Sequence, residues 1–176
     1  MKNEKIFTGF IILFFLLIFA KSLFAAPDYV LPYPDVMPGS KFYNIKLIWE
    51  KLSKYWYFGD FGGFKYNLKM SDKYIIEAKT LFEYKQYLLG LESLKKSDKF
   101  FKEIPGYLEQ EKNENKDISQ NIRMLRGASL KHIEVLEKLK KDSPEFFLWQ
   151  PENSSQTELY LNNAFMDSIN IRKGSL

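Results

Sequence analysis

The chain has no cysteine and a single histidine, His132, among 176 residues. The first absence excludes disulfides, Cys-ligated zinc or iron–sulfur clusters, a thiol nucleophile and a lipidated N-terminal cysteine. The second leaves zinc and haem sites without their usual ligands. Glycine and proline are also scarce, at 9 and 7 residues, so a collagen-like or Gly/Pro-repeat chain is excluded. Charge is nearly balanced, 26 Lys and Arg against 22 Asp and Glu: the formal net charge is +4, and half of it lies in the first 25 residues, where Lys2, Lys5 and Lys21 face Glu4. A nucleic-acid partner wants a concentrated basic footprint, and none is expected here. The length allows one domain with one substantial core.

What is present begins with an apolar run. A basic head, Met1 to Lys5, precedes IFTGFIILFFLLIFA from Ile6 to Ala20, with Lys21 and Ser22 before LFAAP. This is the order of an export signal, cleaved after Ala25, although Leu23 stands where a small residue is preferred. Retention of residues 6–26 as a membrane anchor is the alternative. Either version predicts an extracytoplasmic protein of the bacterial cell envelope, secreted or membrane-associated. Residues 1–25 are therefore read as signal or anchor, 26–40 as a proline-rich extended leader, 41–172 as a helical domain and 173–176 as a tail. In the leader, Pro27, Pro32, Pro34 and Pro38 are too close for helix or central strand, which suggests a spacer or, less economically, a peptide-recognition segment.

The remainder predicts an all-α fold: an amphipathic N-terminal helix followed by a long antiparallel helical hairpin or irregular bundle. Ser40 caps a helix from Lys41 to about Phe58, with Ile45, Ile48, Trp49, Leu52 and Trp56 on one stripe. The ordinary reading packs Trp49 and Trp56 into the core; the alternative lays them on a membrane interface. GDFGG reads as a turn, and a second helix runs from about Lys65 to Lys96, where Leu68, Ile75, Phe82 and Leu89 repeat every seven residues. Ser97 and Asp98 mark a possible turn, and Pro105 is expected to kink or split the following segment. The stretch from Glu109 to Asp117 lacks large apolar residues and reads as exposed helix or loop. A helix from Ile118 to Lys141 is expected to lie antiparallel to the second. Ser143 and Pro144 suggest a short helix over FFLW. Ser155 and Glu158 have capping-box spacing ahead of a last helix, Leu159 to Ile171, placed across the open end of the hairpin.

No catalytic, cofactor-binding or metal-ligating residue is assigned. His132 reads as a structural histidine. Glu77 and Glu83, and Glu109, Glu111 and Glu114, read as solvated helix surface, since nothing defines a cleft between paired carboxylates. Ser71 lacks a nucleophile motif; Ser93 and Lys96 have Ser-x-x-Lys spacing without a second motif to support it. KLSKYWYF, from Lys51 to Phe58, mixes lysine and aromatics without a defined groove for nucleic acid. Asn153-Ser154-Ser155 fits a glycosylation acceptor, a common three-residue match.

The segment from Leu31 to Lys96, with Leu31, Pro32, Pro34, Pro38 and Gly39 followed by Phe42, Tyr43, Lys46 and Trp49, resembles a family of exported bacterial helical domains of unknown function. The likeness continues more weakly to Leu139. It departs at Asp72 to Ala78, where the family more often shows an Ala-Glu-Lys/Arg-Leu-x-Glu-Ala run. The resemblance implies export and an all-helical form, and carries no active-site residue across. These observations together predict a non-enzymatic cell-envelope structural or protein-binding domain without cofactors, whose partner is an envelope protein or a membrane surface. An extracytoplasmic regulatory or sensor-like helical domain is the alternative. Homo-oligomerisation stays open, because a heptad-like seam pairs equally well within or between chains.

Overall fold

The computed structural model describes residues 29–152 and 155–176. The order is α1 (Tyr43–Ser53), a 3₁₀ turn (Lys54–Trp56), α2 (Gly59–Glu83), α3 (Tyr87–Asn113), α4 (Ser119–Asp142), β1 (Phe146–Trp149), β2 (Thr157–Tyr160) and α5 (Leu161–Lys173). The fold is helical, with an N-terminal helix laid on a bundle. The central hairpin is α2 against α3, the most extensive pairing in the protein; α5 packs on α4 and α3.

The long second helix of the sequence reading is thus two helices. Its first heptad positions, Leu68, Ile75 and Phe82, are buried as the repeat implies, but the chain reverses at Tyr84–Gln86. There the Gln86 amide donates to the Leu81 carbonyl (2.8 Å), the Lys85 amide donates to that of Phe82 (2.9 Å), and Lys85 takes φ +59°. This is a Schellman stop with lysine where glycine is usual. The same device ends α3, with Asn115 at φ +57° and the Lys116 amide on the Glu111 carbonyl. GDFGG is not a turn but the first turn of α2: Gly59, at φ +66°, admits the chain, and Gly62 passes so close to the Tyr57 backbone that a β-carbon would sit 2.5 Å from it.

Pro105 neither splits nor ends α3. It lies on the exposed side while Phe101, Ile104 and Leu108 anchor the buried side both before and after it. Burial therefore outweighs the amide bond that proline cannot make. Ser97 and Asp98 are likewise mid-helix. FFLW is a strand and not a helix: Phe146 pairs with Tyr160 and Trp149 with Thr157 in an antiparallel hairpin. Phe147 and Trp149 face the core, Phe146 and Leu148 face out, and that alternation suits β-prone aromatics better than one helical turn. Ser155 and Glu158 accordingly cap nothing; α5 starts at Leu161.

One apolar cluster joins Ile75, Phe82, Leu94, Leu136, Leu161 and Phe165 from four helices, and a second joins Phe64, Leu68, Phe101, Ile104 and Leu125. The leader is more than a spacer, because Leu31 packs on the first cluster and Tyr29 on the second.

The expectation of a membrane-anchored, membrane-associated protein is corrected: among the described residues no helix is long and apolar enough to cross a membrane. The run 6–26 and the cleavage position after Ala25 lie outside the described residues, as do Asn153 and Ser154 of the glycosylation match.

Candidate functional site

The N-terminal helix is turned over relative to expectation. Trp49, Ile48 and Trp56 are 57%, 59% and 63% exposed, whereas Lys46 and Glu50 are 8% and 7% exposed. The stripe that sequence placed in the core faces out, and the polar face packs on α2. That choice is explained by what lies beneath. On α2, Lys73, Tyr74 and Glu77 stand at three- and four-residue spacing, and Glu77, expected on a solvated surface, is 2% exposed.

Lys46 Nζ pairs with Glu77 Oε2 and donates to the Val36 carbonyl at 3.0 Å. Glu77 Oε1 accepts the Tyr43 hydroxyl (2.9 Å) and the Ser93 hydroxyl (2.7 Å). Tyr74 donates to Glu50 Oε2 at 2.6 Å, and Tyr66 donates to the Glu50 carbonyl at 3.1 Å. Lys73 Nζ reaches Glu50 Oε1 at 3.1 Å and Asp35 Oδ2 at 2.9 Å, which ties the leader to the same network. Burial pushes the Tyr43 and Tyr74 hydroxyls well above the usual phenol range, and the neighbouring glutamates add to it. Burial pulls the Lys73 ammonium down, but Asp35 and Glu50 together outweigh it and its pKa is raised. A buried ion network of this kind fixes one geometry for α1 instead of adding much stability.

The same distances dispose of the serine–lysine spacing. Ser93 donates to Glu77, while Lys96 Nζ points to the Tyr43 hydroxyl at 3.3 Å. Ser71 is closed within α2 and α3 against Ser97.

His132 is fully buried in a second network that joins α2, α3, α4 and α5. Its Nε2 lies 2.8 Å from Asp72 Oδ1, and Arg172 Nε donates to its Nδ1 at 3.4 Å. A ring that accepts at Nδ1 carries its proton on Nε2, so the imidazole is neutral and donates to Asp72. Burial lowers its pKa further than the Asp72 hydrogen bond raises it. Arg172 also pairs with Asp98 and donates to Ser97 Oγ at 2.8 Å, beneath the Phe101 ring. The Tyr29 hydroxyl closes the set on Asp72 Oδ2 at 2.6 Å. Both ring nitrogens are engaged and neither is open to solvent.

The other carboxylates separate. Glu83 pairs with Lys79 at the surface, Glu109 and Glu114 are exposed, and Glu111 is wholly buried, where desolvation raises its pKa. No pair of them flanks a common cleft. Among the described residues no group of three His, Cys, Asp or Glu side chains could hold a metal ion.

What stands open is the outer face of α1. Trp49 and Trp56 rest against each other, ring centroids 5.4 Å apart. With Ile45, Phe42 and Met70 they line a socket of about 330 Å³ between α1 and α2, whose charged lining has both signs, Lys46, Lys69 and Lys73 with Asp35 and Glu50. A larger groove, about 700 Å³, lies beside Leu31, but most of its rim charge is already paired, as in Lys79–Glu83 and Lys131–Glu134. No protein-family model, curated protein or solved structure matches this chain. The likeness to exported helical domains therefore lends no residue to the site, and its chemistry is read from the side chains alone.

Proposed function

We propose that the protein is a non-enzymatic binding domain that docks another protein on the outer face of α1. One observation carries this reading: the helix exposes its whole apolar stripe while burying Lys46 and Glu50 on its inner side, Lys46 against Glu77 of α2. Exposed Ile, Leu and Trp side chains each gain about 1.5–3 kcal/mol when covered. Aromatic anchors gathered at a socket are the usual source of interface energy. The socket is built before the partner arrives, because the inner ion network holds α1 in place, which lowers the ordering cost of binding.

A second copy of this chain is a poor occupant. Lys41, Lys51 and Lys54 are exposed on and beside α1, and the only acid of α1, Glu50, is buried. Two such faces would set lysine against lysine.

The test is selection of displayed random peptides on the immobilised wild-type protein, with a Trp49→Ser/Leu52→Ser variant as counter-target. Peptides that bind the wild type and lose at least about tenfold in affinity on the variant support the reading. Peptides that bind both alike would sink it, and so would a wild-type protein that dimerises through this face in sedimentation.

A further inference from the structure

We infer that His132 is an acid-released latch: when its ring gains a second proton it keeps Asp72 and gives up Arg172, and the last turn of α5 leaves the bundle. The device goes beyond the binding reading above and owes nothing to the outer face of α1.

The ring is fully buried and meets charge on two sides. Nε2 stands 2.8 Å from Asp72 Oδ1 on α2, and Nδ1 accepts from Arg172 Nε on α5 at 3.4 Å. Asp98 on α3 acts on the ring through Arg172, the Phe101 ring of α3 lies 5.5 Å away between centroids, and the Tyr29 hydroxyl of the leader shares Asp72. On α4 itself, Lys131 and Glu134 pair with each other at the surface. A guanidinium only donates and does not give up its proton, so the ring nitrogen facing it has to be an acceptor. A proton on Nδ1 sets N–H against N–H, and no tautomer of the imidazolium restores the acceptor.

The buried charge gives that proton a place inside the folded chain. Asp72 accepts at both oxygens, from Tyr29 and from His132, and Asp98 accepts at both, from Arg172 and from Ser168. Two carboxylates therefore share one guanidinium, and an imidazolium balances the set. Burial holds the proton off to lower pH than an ordinary imidazole; the Asp72 hydrogen bond works against burial, and the Arg172 charge works with it. The latch is thus closed at neutral pH and opens on the acid side.

Burial also defines what lets go. Arg172 is the last buried residue of the chain, and Lys173 and Leu176 beyond it are exposed. Once the ring is charged, the partners left to Arg172 beyond its own helix are Asp98, Ser97 and the Phe101 ring, all on α3, so the turn that carries it moves off α4. Leu161, Phe165 and Ile169 keep the front of α5 in the first apolar cluster. A chain end pinned by one buried polar side chain is a unit that opens without global unfolding.

Nuclear magnetic resonance of the intact chain tests this with two readings against pH. His132 is the only histidine, so a single set of ring signals reports its tautomer and its protonation. Amide exchange, corrected for the intrinsic effect of pH, reports protection along the chain. Near pH 7.5 the ring is expected as the Nε2–H tautomer with residues 169–173 protected. As the ring takes its proton, below the ordinary value of about 6.5, protection of 169–173 falls at least about tenfold with the same midpoint, while Phe101 and Leu136 stay protected. His132→Gln, whose amide can donate to Asp72 and accept from Arg172, keeps 169–173 protected across the range. A ring that protonates while 169–173 stay protected overturns the inference. So does a ring that stays neutral until the whole chain unfolds, or a loss of protection that His132→Gln shares. The first two outcomes are read on the wild type alone, so a glutamine variant that fails to fold leaves the test intact.

Discussion

At the scale of single residues, the polar side chains decide the arrangement. Lys46 is held by Glu77 and the Val36 carbonyl, and removing it strands a glutamate that is 2% exposed. Breaking one side of a buried pair typically costs about 3–5 kcal/mol. Lys46→Ala should lose that amount in urea denaturation, and Lys46→Met with Glu77→Gln should recover part of it, since glutamine still serves the hydroxyls of Tyr43 and Ser93. His132 gives a pH signature. Its folded-state pKa is lowered by burial, so the unfolded chain binds the extra proton. Stability is therefore complete above the unfolded value of about 6.5 and declines as pH falls below it. Because His132 is the only histidine, a His132→Gln variant should flatten the dependence between about pH 7.5 and 5.5. Glu111, whose pKa is raised, works in the opposite sense at lower pH, and comparing the two proteins cancels it. The isolation of His132 from cysteine and other histidines was legible in the sequence. Its partners were not, since Asp72, Asp98 and Arg172 come from three other helices and no spacing connects them.

At the scale of elements, periodicity located the helices and failed at their ends. The seven-residue repeat of Leu68, Ile75 and Phe82 predicted buried positions correctly, yet it runs on through Leu89 across a complete chain reversal. The reversal was hidden because Lys85 occupies a left-handed position that glycine would have announced, whereas Asn115 at the end of α3 is the residue such a stop more often uses. A lysine there carries a backbone cost, so Lys85→Gly should stabilise the protein by about 1 kcal/mol in urea denaturation. Pro105 misled in the opposite direction. A proline breaks a helix only if nothing else holds the two halves, and here Phe101, Ile104 and Leu108 are all buried on the other side. Pro105→Ala restores an amide donor and removes the ring clash, and should raise stability by up to about 3 kcal/mol. If it has no effect, the helix at residue 105 has already adapted to the ring. FFLW was read as helix from the Ser-Pro signal before it; the strand prevails because its partner, Thr157–Tyr160, lies beyond a loop that local sequence does not connect to it.

At the scale of the whole molecule, the fold class was legible and the orientation of its first helix was not. An amphipathic pattern says that a helix has two faces, and the default buries the apolar one. On α1 that default is reversed, because the surface offered by α2 and α3 carries Glu77, Ser93, Tyr74 and Lys73, whose polar groups need partners once covered. The inner face of α1 supplies them, and the aromatic stripe is left outside as a consequence. Stability and binding are thereby carried by opposite sides of the same helix. Trp49→Ser with Leu52→Ser should shift the urea-unfolding free energy by no more than about 0.5 kcal/mol, the scale of ordinary surface substitutions. Leu136→Ala, in the fully buried cluster, should cost about 2–5 kcal/mol. The peptides selected on α1 should respond in the reverse order, lost on the stripe variant and retained by Leu136→Ala wherever it stays folded. A loss of several kcal/mol from the stripe variant alone would mean that the chain itself covers these side chains, and the outer face of α1 would then be core instead of interface.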